Sequence, residues 1–275
     1  MDTPIFSSKS KDGTCVRCGF SGELTFEHIP PRATDLNKPA KLFDALDSIG
    51  NADKLPWDFS GRKYRNEQRG TGGYYLCRDC NSWAGVELVP AYIHFIQELQ
   101  RHYIVNTKFD FVKELSWSVE LKGIQPLLIA KQILLMHACI NGRAFVTKNK
   151  FVEFINSTDS VLDSFKHKEF MFINAGSMSL SYPLSATLSG MMTKKPVTHL
   201  LTGVDSGIIS FQLRLDSDYS TTQYIDISDW FYNYKYDEKI NITMTIPVQE
   251  TNLPLPAAHA SRRQIMESKA DNTMK

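Results

Sequence analysis

Residues 14–31 read TCVRCGFSGELTFEHIPP and residues 70–83 read GTGGYYLCRDCNSW. Each stretch contains a CxxC pair, Cys15 with Cys18 and Cys77 with Cys80. Two such pairs can present four thiolates to one tetrahedral zinc ion, and the chain begins with no secretion signal that would favour disulfides. The alternative is a redox CxxC with unrelated thiols, but redox pairs usually occur singly. The sequence therefore predicts a structural zinc site with four cysteine ligands.

The segments around the two pairs show strand and helix signals. Residues 23–26 precede the histidine of the EHIPP stretch and residues 74–76 precede Cys77, and both runs favour strands. Asn81 is a plausible helix N-cap. Pro90 favours a fresh helical start, and the following AYIHFIQELQRHYI predicts a helix to about residue 104.

The chain changes character near residue 106. Alternating apolar residues over 115–121 indicate a strand, and residues 126–140 predict a buried helix that contains Cys139 as a small core residue. A second, weaker helix is expected over 150–165. Residues 169–248 are strand-rich, and Val204-Asp205-Ser206-Gly207 favours a hairpin.

These patterns predict an α+β protein in four parts. A polar leader spans residues 1–12, and a zinc module spans 13–105. An α+β accessory domain with a largely antiparallel sheet spans 106–250, and a flexible tail spans 251–275.

Composition excludes several classes of protein. Hydrophobic residues make up 42% of the chain, which is enough for a packed core. The longest apolar run, 126–140, is too short to span a bilayer, so we expect a cytoplasmic protein without membrane contact. The 31 basic residues nearly balance the 30 acidic ones, so nucleic-acid binding would need a local patch. The chain has neither a Walker A loop nor a nucleophile elbow.

The order of the motifs resembles the HNH endonuclease family. A CxxC pair is followed by Glu27-His28-Ile29-Pro30-Pro31 and then by a second CxxC pair, directly after which comes Asn81. The stretch 68–77 also looks like a subgroup of this family. The resemblance covers about residues 13–90, a third of the chain.

The resemblance implies a fold and a chemistry. The fold would be an N-terminal ββα-metal module related to treble-clef zinc fingers, with the zinc in a structural role. The activity would be metal-dependent phosphodiester hydrolysis, mostly of DNA, in a phage, mobile-element or anti-phage context. His28 matches the general base, and Glu27 and Asn81 match the ligands of a catalytic Mg²⁺ or Mn²⁺.

The sequence departs from the family pattern at three places. Glu27 stands where aspartate is more usual. The asparagine that orients the histidine in many members is missing, and its role is empty or falls to Asn66 or Gln68. Gly85 stands where some members carry a further ligand or a lysine.

Other interpretations of the same residues stay open. His28 could cap the zinc knuckle or lie in the core, Asn81 could be an N-cap alone, and Glu27 could pair with a nearby arginine. The whole protein could be a catalytically inactive, zinc-stabilised adaptor that binds nucleic acid or protein. A nuclease directed at RNA is the third hypothesis.

A basic run, residues 61–69, lies between the two motif segments and could contact phosphates or could be a solvated loop. Tyr64 could stack on a base. The candidate nucleic-acid-binding residues are Arg32, Arg62, Lys63, Arg65, Arg69 and Arg78.

The second half of the chain carries no chemical motif. It could bind a partner protein, mediate self-association or select the substrate. Its aromatic residues could form an exposed platform, although such residues are more often core; they are Trp117, Trp230, Phe231, Tyr232 and Tyr234. We interpret His94 and His102, eight positions apart on one helix, as structural.

Overall fold

The computed structural model describes residues 10–34, 36, 39–43, 54–105, 116–158, 167–176, 178–189, 197–215 and 221–273. Most of the predicted leader and the predicted boundary near residue 106 lie outside these residues. The architecture is mixed α+β with one large, mainly antiparallel sheet, as predicted. In the part of the chain described, no helix has both the length and the hydrophobicity that crossing a bilayer requires.

Small two-stranded sheets and two helices build the N-terminal part. The strands are β1 (Asp12–Thr14), β2 (Ser21–Glu23), β3 (Thr25–His28), β4 (Ala40–Phe43), β5 (Tyr64–Glu67) and β6 (Gly72–Leu76), and the helices are α1 (Arg78–Glu87) and α2 (Val89–Val105). β1 pairs with β2, β3 with β6, and β4 with β5, all antiparallel. The β4–β5 pair was not predicted, because β5 is almost wholly exposed and has no apolar alternation.

A glycine allows the close pairing of β3 with β6. Gly72 lies opposite His28, and a Cβ atom at Gly72 would come within 2.2 Å of the carbonyl oxygen of Glu27. A side chain there would separate the two strands. The glycine-rich segment before Cys77 is therefore required by the backbone of β3.

The large sheet belongs to the second half of the chain. Its strands are β7 (Ser116–Ile124), β8 (Lys168–Asn174), β9 (Tyr182–Ser189), β10 (Val197–Asp205), β11 (Ile209–Arg214), β12 (Ile225–Asp226) and β13 (Ile240–Gln249). The order is β7-β13-β8-β11-β10-β9, with β12 beside β8. Every pair is antiparallel except β13 with β8. The predicted hairpin at 204–207 joins β10 to β11.

The central helix α3 (Pro126–Asn141) is buried along residues 126–140, which confirms its prediction. Two short helices follow, α4 (Arg143–Lys148) and α5 (Phe151–Asn156). The predicted helix over 150–165 is therefore wrong in extent. α5 ends at Asn156, and residues 159–166 lie outside the described part.

Helix α2 covers the open edge of β7 with three side chains spaced four residues apart. His94 and His102 hydrogen bond to the carbonyl groups of Lys122 and Glu120, and Glu98 accepts from the N–H of Lys122. Two of the three side chains bond the backbone of Lys122 and the third bonds that of Glu120, so about 12 Å of helix lies over about 6.7 Å of strand. The two histidines are thus structural, as predicted.

One hydrophobic core joins the parts that the sequence separated at residue 106. A single buried cluster runs from Cys15 to Val248 and includes residues of α2, α3 and the large sheet. The Arg143 guanidinium donates to the carbonyl oxygen of Val16 at 2.8 Å and to that of Arg17. The described residues of the predicted module and accessory domain therefore pack as one unit. The sequence could not predict this shared core, because an apolar helix face indicates that α2 is buried but not which element it packs against.

The expected platform is mostly core. Trp117, Trp230 and Phe231 are buried, whereas Tyr232 is exposed and Tyr234 packs against the core from outside.

The C-terminal segment has defined structure where a flexible tail was predicted. Thr251 and Asn252 are buried, and Asn252 donates to the carbonyl oxygen of Ala260 at 2.9 Å. Helix α6 (Arg262–Thr273) follows, and Lys269 donates to the carbonyl oxygen of Lys54. Polar contacts, which apolar periodicity does not reveal, hold this segment in place.

Candidate functional site: a cysteine cluster beside an exposed histidine strand

The two CxxC pairs come together as predicted. The sulfur atoms of Cys15, Cys18, Cys77 and Cys80 all lie within 4.8 Å of one another, and Cys18 Sγ is 3.7 Å from Cys77 Sγ. A tetrahedral zinc ion with Zn–S bonds of about 2.3 Å separates its sulfurs by about 3.8 Å. The four cysteines could therefore hold a metal ion such as zinc.

Backbone geometry positions each pair. The N–H of Gly19 donates to the carbonyl oxygen of Cys15 at 2.9 Å, and Gly19 takes φ +81°, so the first pair lies in a tight turn between β1 and β2. Cys77 is the N-cap of α1, and Cys80 lies in its first turn. The N–H of Val16 donates to the carbonyl oxygen of Tyr75 at 3.0 Å, which ties the turn to β6.

Arg17 is a partner of the cluster that the sequence analysis missed. Its guanidinium lies 3.5 Å from the centre of the Trp83 ring and donates to Cys80 Sγ at 3.5 Å. Zinc with four thiolates carries a net charge of −2, so a held cation is favourable beside it. The only signal in the sequence was an arginine between the two cysteines of the first pair.

The thiols differ in their electrostatic surroundings. Burial raises the pKa of Cys77 and Cys80 above the ordinary thiol value. Burial also opposes ionisation of Cys15, but backbone N–H groups outweigh it and lower the pKa of that thiol to about 7. Cys139 is buried in α3 and is not one of the four clustered cysteines, which fits its prediction as a core residue.

Strand β3 carries Glu27 and His28 on opposite faces, because side chains alternate along a strand. His28 shares its face with Phe26, and the two ring centroids are 5.0 Å apart. One ring N–H of His28 donates to the main-chain carbonyl of Arg69. Burial and the Arg32 guanidinium lower the pKa of His28, and the Arg69 guanidinium adds to that effect.

The described hydrogen-bond partner of the His28 ring is therefore a backbone carbonyl. The sequence analysis left the role of an orienting group empty or assigned it to Asn66 or Gln68, whereas this partner is the main chain of Arg69. Sequence patterns identify side chains, so a main-chain acceptor could not be predicted. The neutral ring then has one nitrogen held as a donor and the other left as an acceptor.

Glu27 lies on the inner face of β3 and is only 9% exposed. Burial raises the pKa of this carboxyl to about 7, and no hydrogen-bond donor among the described residues offsets that effect. None of the described ion pairs contains Glu27, so the predicted alternative of an arginine partner is not observed there. A buried carboxylate without a donor suits a cation ligand.

Asn81 contacts the strand that carries Glu27. Its amide donates to Thr25 Oγ1 at 2.9 Å, two residues before Glu27, and the β3–β6 register shifts between Thr25 and Phe26. Asn81 is not the N-cap that the sequence suggested, since α1 begins at Arg78 and Cys77 is the cap. The N-cap prediction is wrong because the cysteine knuckle starts the helix one turn earlier.

The predicted basic residues fall into two groups. Arg32 and Arg69 lie close enough to His28 to act on its pKa. For Arg62, Lys63, Arg65 and Arg78 the described residues show no contact with His28. Arg62 donates to the carbonyl oxygen of Leu55, and Arg65 lies 3.9 Å from the Glu67 carboxylate.

Gly85 is the remaining position at which the sequence departs from the pattern of the HNH family. Gly85 lies exposed on α1, and a Cβ atom there would meet nothing within 4 Å. It supplies no ligand.

Glu27 and His28 are adjacent at the end of β3 with their side chains on opposite faces, and Asn81 of α1 contacts the same strand through Thr25. The cysteine cluster joins the turn between β1 and β2 to the start of α1. No protein-family model, curated protein or solved structure matches this chain.

Proposed function

We propose that this protein is a metal-dependent endonuclease of the HNH type, as its motif order implies. The observation that carries the proposal is the state of His28. One ring nitrogen is held by the Arg69 carbonyl, and the other is an acceptor on a partly exposed face, near enough to the Arg32 and Arg69 guanidinium groups to be affected by their charge.

His28 suits the role of general base. A neutral imidazole accepts a proton from water, and its lowered pKa keeps it neutral at physiological pH. The water oxygen forms a bond to phosphorus while the bond to the leaving oxygen breaks, and the proton passes to the free ring nitrogen. The Arg69 carbonyl then stabilises the protonated ring.

Glu27 and Asn81 would hold the catalytic cation. Because Glu27 and His28 point to opposite faces of β3, this arrangement requires the phosphate to lie across the end of the strand, where His28 is the last residue. The buried carboxylate has no donor among the described residues, and the Asn81 amide uses its N–H on Thr25, which leaves its oxygen for a ligand. Oxygen ligands suit Mg²⁺ or Mn²⁺, and such an ion, when bound, stabilises charge on the phosphate and the leaving oxygen.

The four cysteines would hold a separate, structural zinc. They join the turn between β1 and β2 to the start of α1, which carries Asn81. A rigid connection of this kind fixes the relative positions of the groups that would act.

Nucleic acid is the proposed substrate, and DNA is favoured over RNA by the family resemblance. The net charge is only +1, so attraction must come from local cations such as Arg32 and Arg69 beside His28.

The experiment that tests this function is cleavage by the zinc-loaded full chain. Supercoiled plasmid and a single-stranded RNA are incubated with and without Mg²⁺ or Mn²⁺. We expect nicked or linear DNA only with the added metal, and a large loss of activity for Glu27→Gln. Asp79→Asn, an exposed acid on the same helix as Asn81, is the control and should cut like wild type. Failure to cut either nucleic acid would overturn the proposal.

A second candidate is the catalytically inactive adaptor. The raised pKa of Glu27 favours it, because a carboxyl near pKa 7 can stay neutral without any cation. Calorimetric titration with Mn²⁺ separates the two candidates. The nuclease should bind a Mn²⁺ ion that Glu27→Gln loses, whereas an adaptor would bind none beyond the zinc.

A further inference from the structure

Three aromatic side chains form a platform on the outer face of the β3–β6 pair. Phe26 lies opposite Tyr74 in the strand register, and their ring centroids are 5.5 Å apart in an edge-to-face contact. The His28 ring makes a similar edge contact with Phe26 at 5.0 Å. Cross-strand aromatic pairs of this kind hold ring positions firmly.

Arg69 is fixed on this platform at two points. Its guanidinium carbon lies 5.4 Å from the centre of the Phe26 ring, and its Nη1 donates to the Tyr74 hydroxyl at 3.2 Å. An exposed arginine normally samples many rotamers, so two contacts of this kind reduce the entropy lost on binding a ligand. The main-chain carbonyl of the same residue holds His28.

The positive charge at this place has no described counter-ion. Carboxylate partners are present for Arg65, Arg101 and Arg263, but the described ion pairs include none for Arg32 or Arg69. Both guanidinium groups act on His28, so both would attract an anion bound beside the imidazole. A phosphodiester group has the charge and the oxygen geometry that a guanidinium binds best.

We propose that Tyr74 is a positioning residue, which holds the Arg69 guanidinium beside His28 so that it binds a phosphate oxygen of the nucleic acid. This inference rests on the proposed nuclease function and deepens it. Among the six candidate basic residues, Arg69 is the one that this inference assigns to the phosphate contact beside His28.

Tyr236 provides a matched control. Its hydroxyl also makes one side-chain hydrogen bond, to the Glu87 carboxylate at 3.0 Å, and it has no described contact with Arg69. Tyr236→Phe therefore removes a comparable hydrogen bond and should leave Arg69 in place.

The test measures binding of a fluorescent DNA duplex to the zinc-loaded full chain without added Mg²⁺ or Mn²⁺. Arg69→Met should weaken binding about 10-fold and reduce the slope of log K against log salt by about one. Tyr74→Phe should weaken binding about 3-fold, and the double variant should bind no worse than Arg69→Met alone, since the two act as one unit. Tyr236→Phe should bind like wild type.

Turnover gives a second readout that a general loss of structure would not reproduce. Tyr74→Phe should raise KM about 3-fold with kcat nearly unchanged, at an unaltered zinc content and melting temperature. The inference is overturned if wild type binds and cuts DNA while Tyr74→Phe equals wild type, or if its effect adds in full to that of Arg69→Met. If wild type neither binds nor cuts, the proposed function itself fails, and the inference fails with it.

Discussion

Arg17 shows how a single residue can tune the cysteine cluster. Its guanidinium is stacked on Trp83 and donates to Cys80 Sγ, so it offsets part of the negative charge that four thiolates bring. Partners of this kind around a metal site typically change affinity 10- to 100-fold.

We expect Arg17→Met to weaken zinc binding about 10- to 100-fold while the fold persists at saturating zinc. Competition with a chromophoric chelator measures this. Arg78→Met is the control, because Arg78 also adjoins a cysteine but is exposed. Equal zinc affinity of Arg17→Met and wild type would contradict the charge argument.

Gly72 and Gly85 lie on either side of the second CxxC pair and should respond in opposite ways. A Cβ at Gly72 would lie 2.2 Å from the Glu27 carbonyl oxygen, whereas one at Gly85 meets nothing. Gly72→Ala should destabilise the protein by about 1 to 3 kcal/mol, and Gly85→Ala should stabilise it by up to about 1 kcal/mol. Denaturant unfolding of the zinc-loaded proteins measures both free energies of unfolding. An unchanged free energy of unfolding for Gly72→Ala would contradict the close pairing of β3 and β6.

At the scale of elements, the segment that follows β13 covers the outer face of the large sheet. Its His259 bonds Thr251 Oγ1 at 3.3 Å and the Tyr224 hydroxyl at 3.1 Å, and its ring contacts Phe172 edge-on. Burial, with a smaller effect of Arg214, lowers the pKa of His259 to about 4.

This pKa predicts a pH dependence. The folded-state pKa lies below the ordinary histidine pKa of 6.5, so His259 is harder to protonate in the folded protein than in the unfolded chain. His259 therefore contributes full stability above pH 6.5 and loses up to about 3 kcal/mol as the pH falls toward 4. His259→Gln should flatten this part of the curve. Denaturant unfolding of both proteins from pH 7.5 to 4.5 isolates the effect, since zinc release is common to both. Parallel curves would refute the prediction.

Elements with a strong apolar pattern could be predicted, and elements held by polar contacts could not. The mainly apolar run of α3 and the alternation of β7 and β13 were sufficient to predict these elements. β5 and α6 carry mostly exposed side chains, so they have no apolar periodicity from which they could be predicted. The cysteine cluster followed from spacing alone, whereas Arg17 and the Arg69 carbonyl depend on three-dimensional contacts that spacing does not encode.

At the scale of the whole molecule, the cysteine cluster and the large sheet share one core. Tyr92, Phe95, Ile96 and Leu99 of α2 are fully buried. The Phe95 ring packs 5.8 Å from that of Trp230, and the Tyr92 hydroxyl lies 2.6 Å from Ser206 Oγ. α2 is therefore as much a part of the second half as of the first.

A fragment that ends at residue 105 should not fold cooperatively. It would expose four large side chains of α2, a loss of about 6 to 12 kcal/mol, which equals the whole stability of a typical domain. Calorimetry and tryptophan fluorescence of the zinc-loaded fragment, beside the full chain, measure this. A cooperative melt of the fragment would show that the zinc module is an independent domain after all.

The central claim, that His28 acts as the base in phosphodiester hydrolysis, is tested most directly by plasmid nicking with His28→Ala. Wild type and variant are compared at equal zinc content with Mg²⁺ or Mn²⁺ present. The account predicts nicking by wild type, a loss of at least about 100-fold for His28→Ala, and partial recovery when imidazole is added. Equal nicking by the two proteins would contradict it.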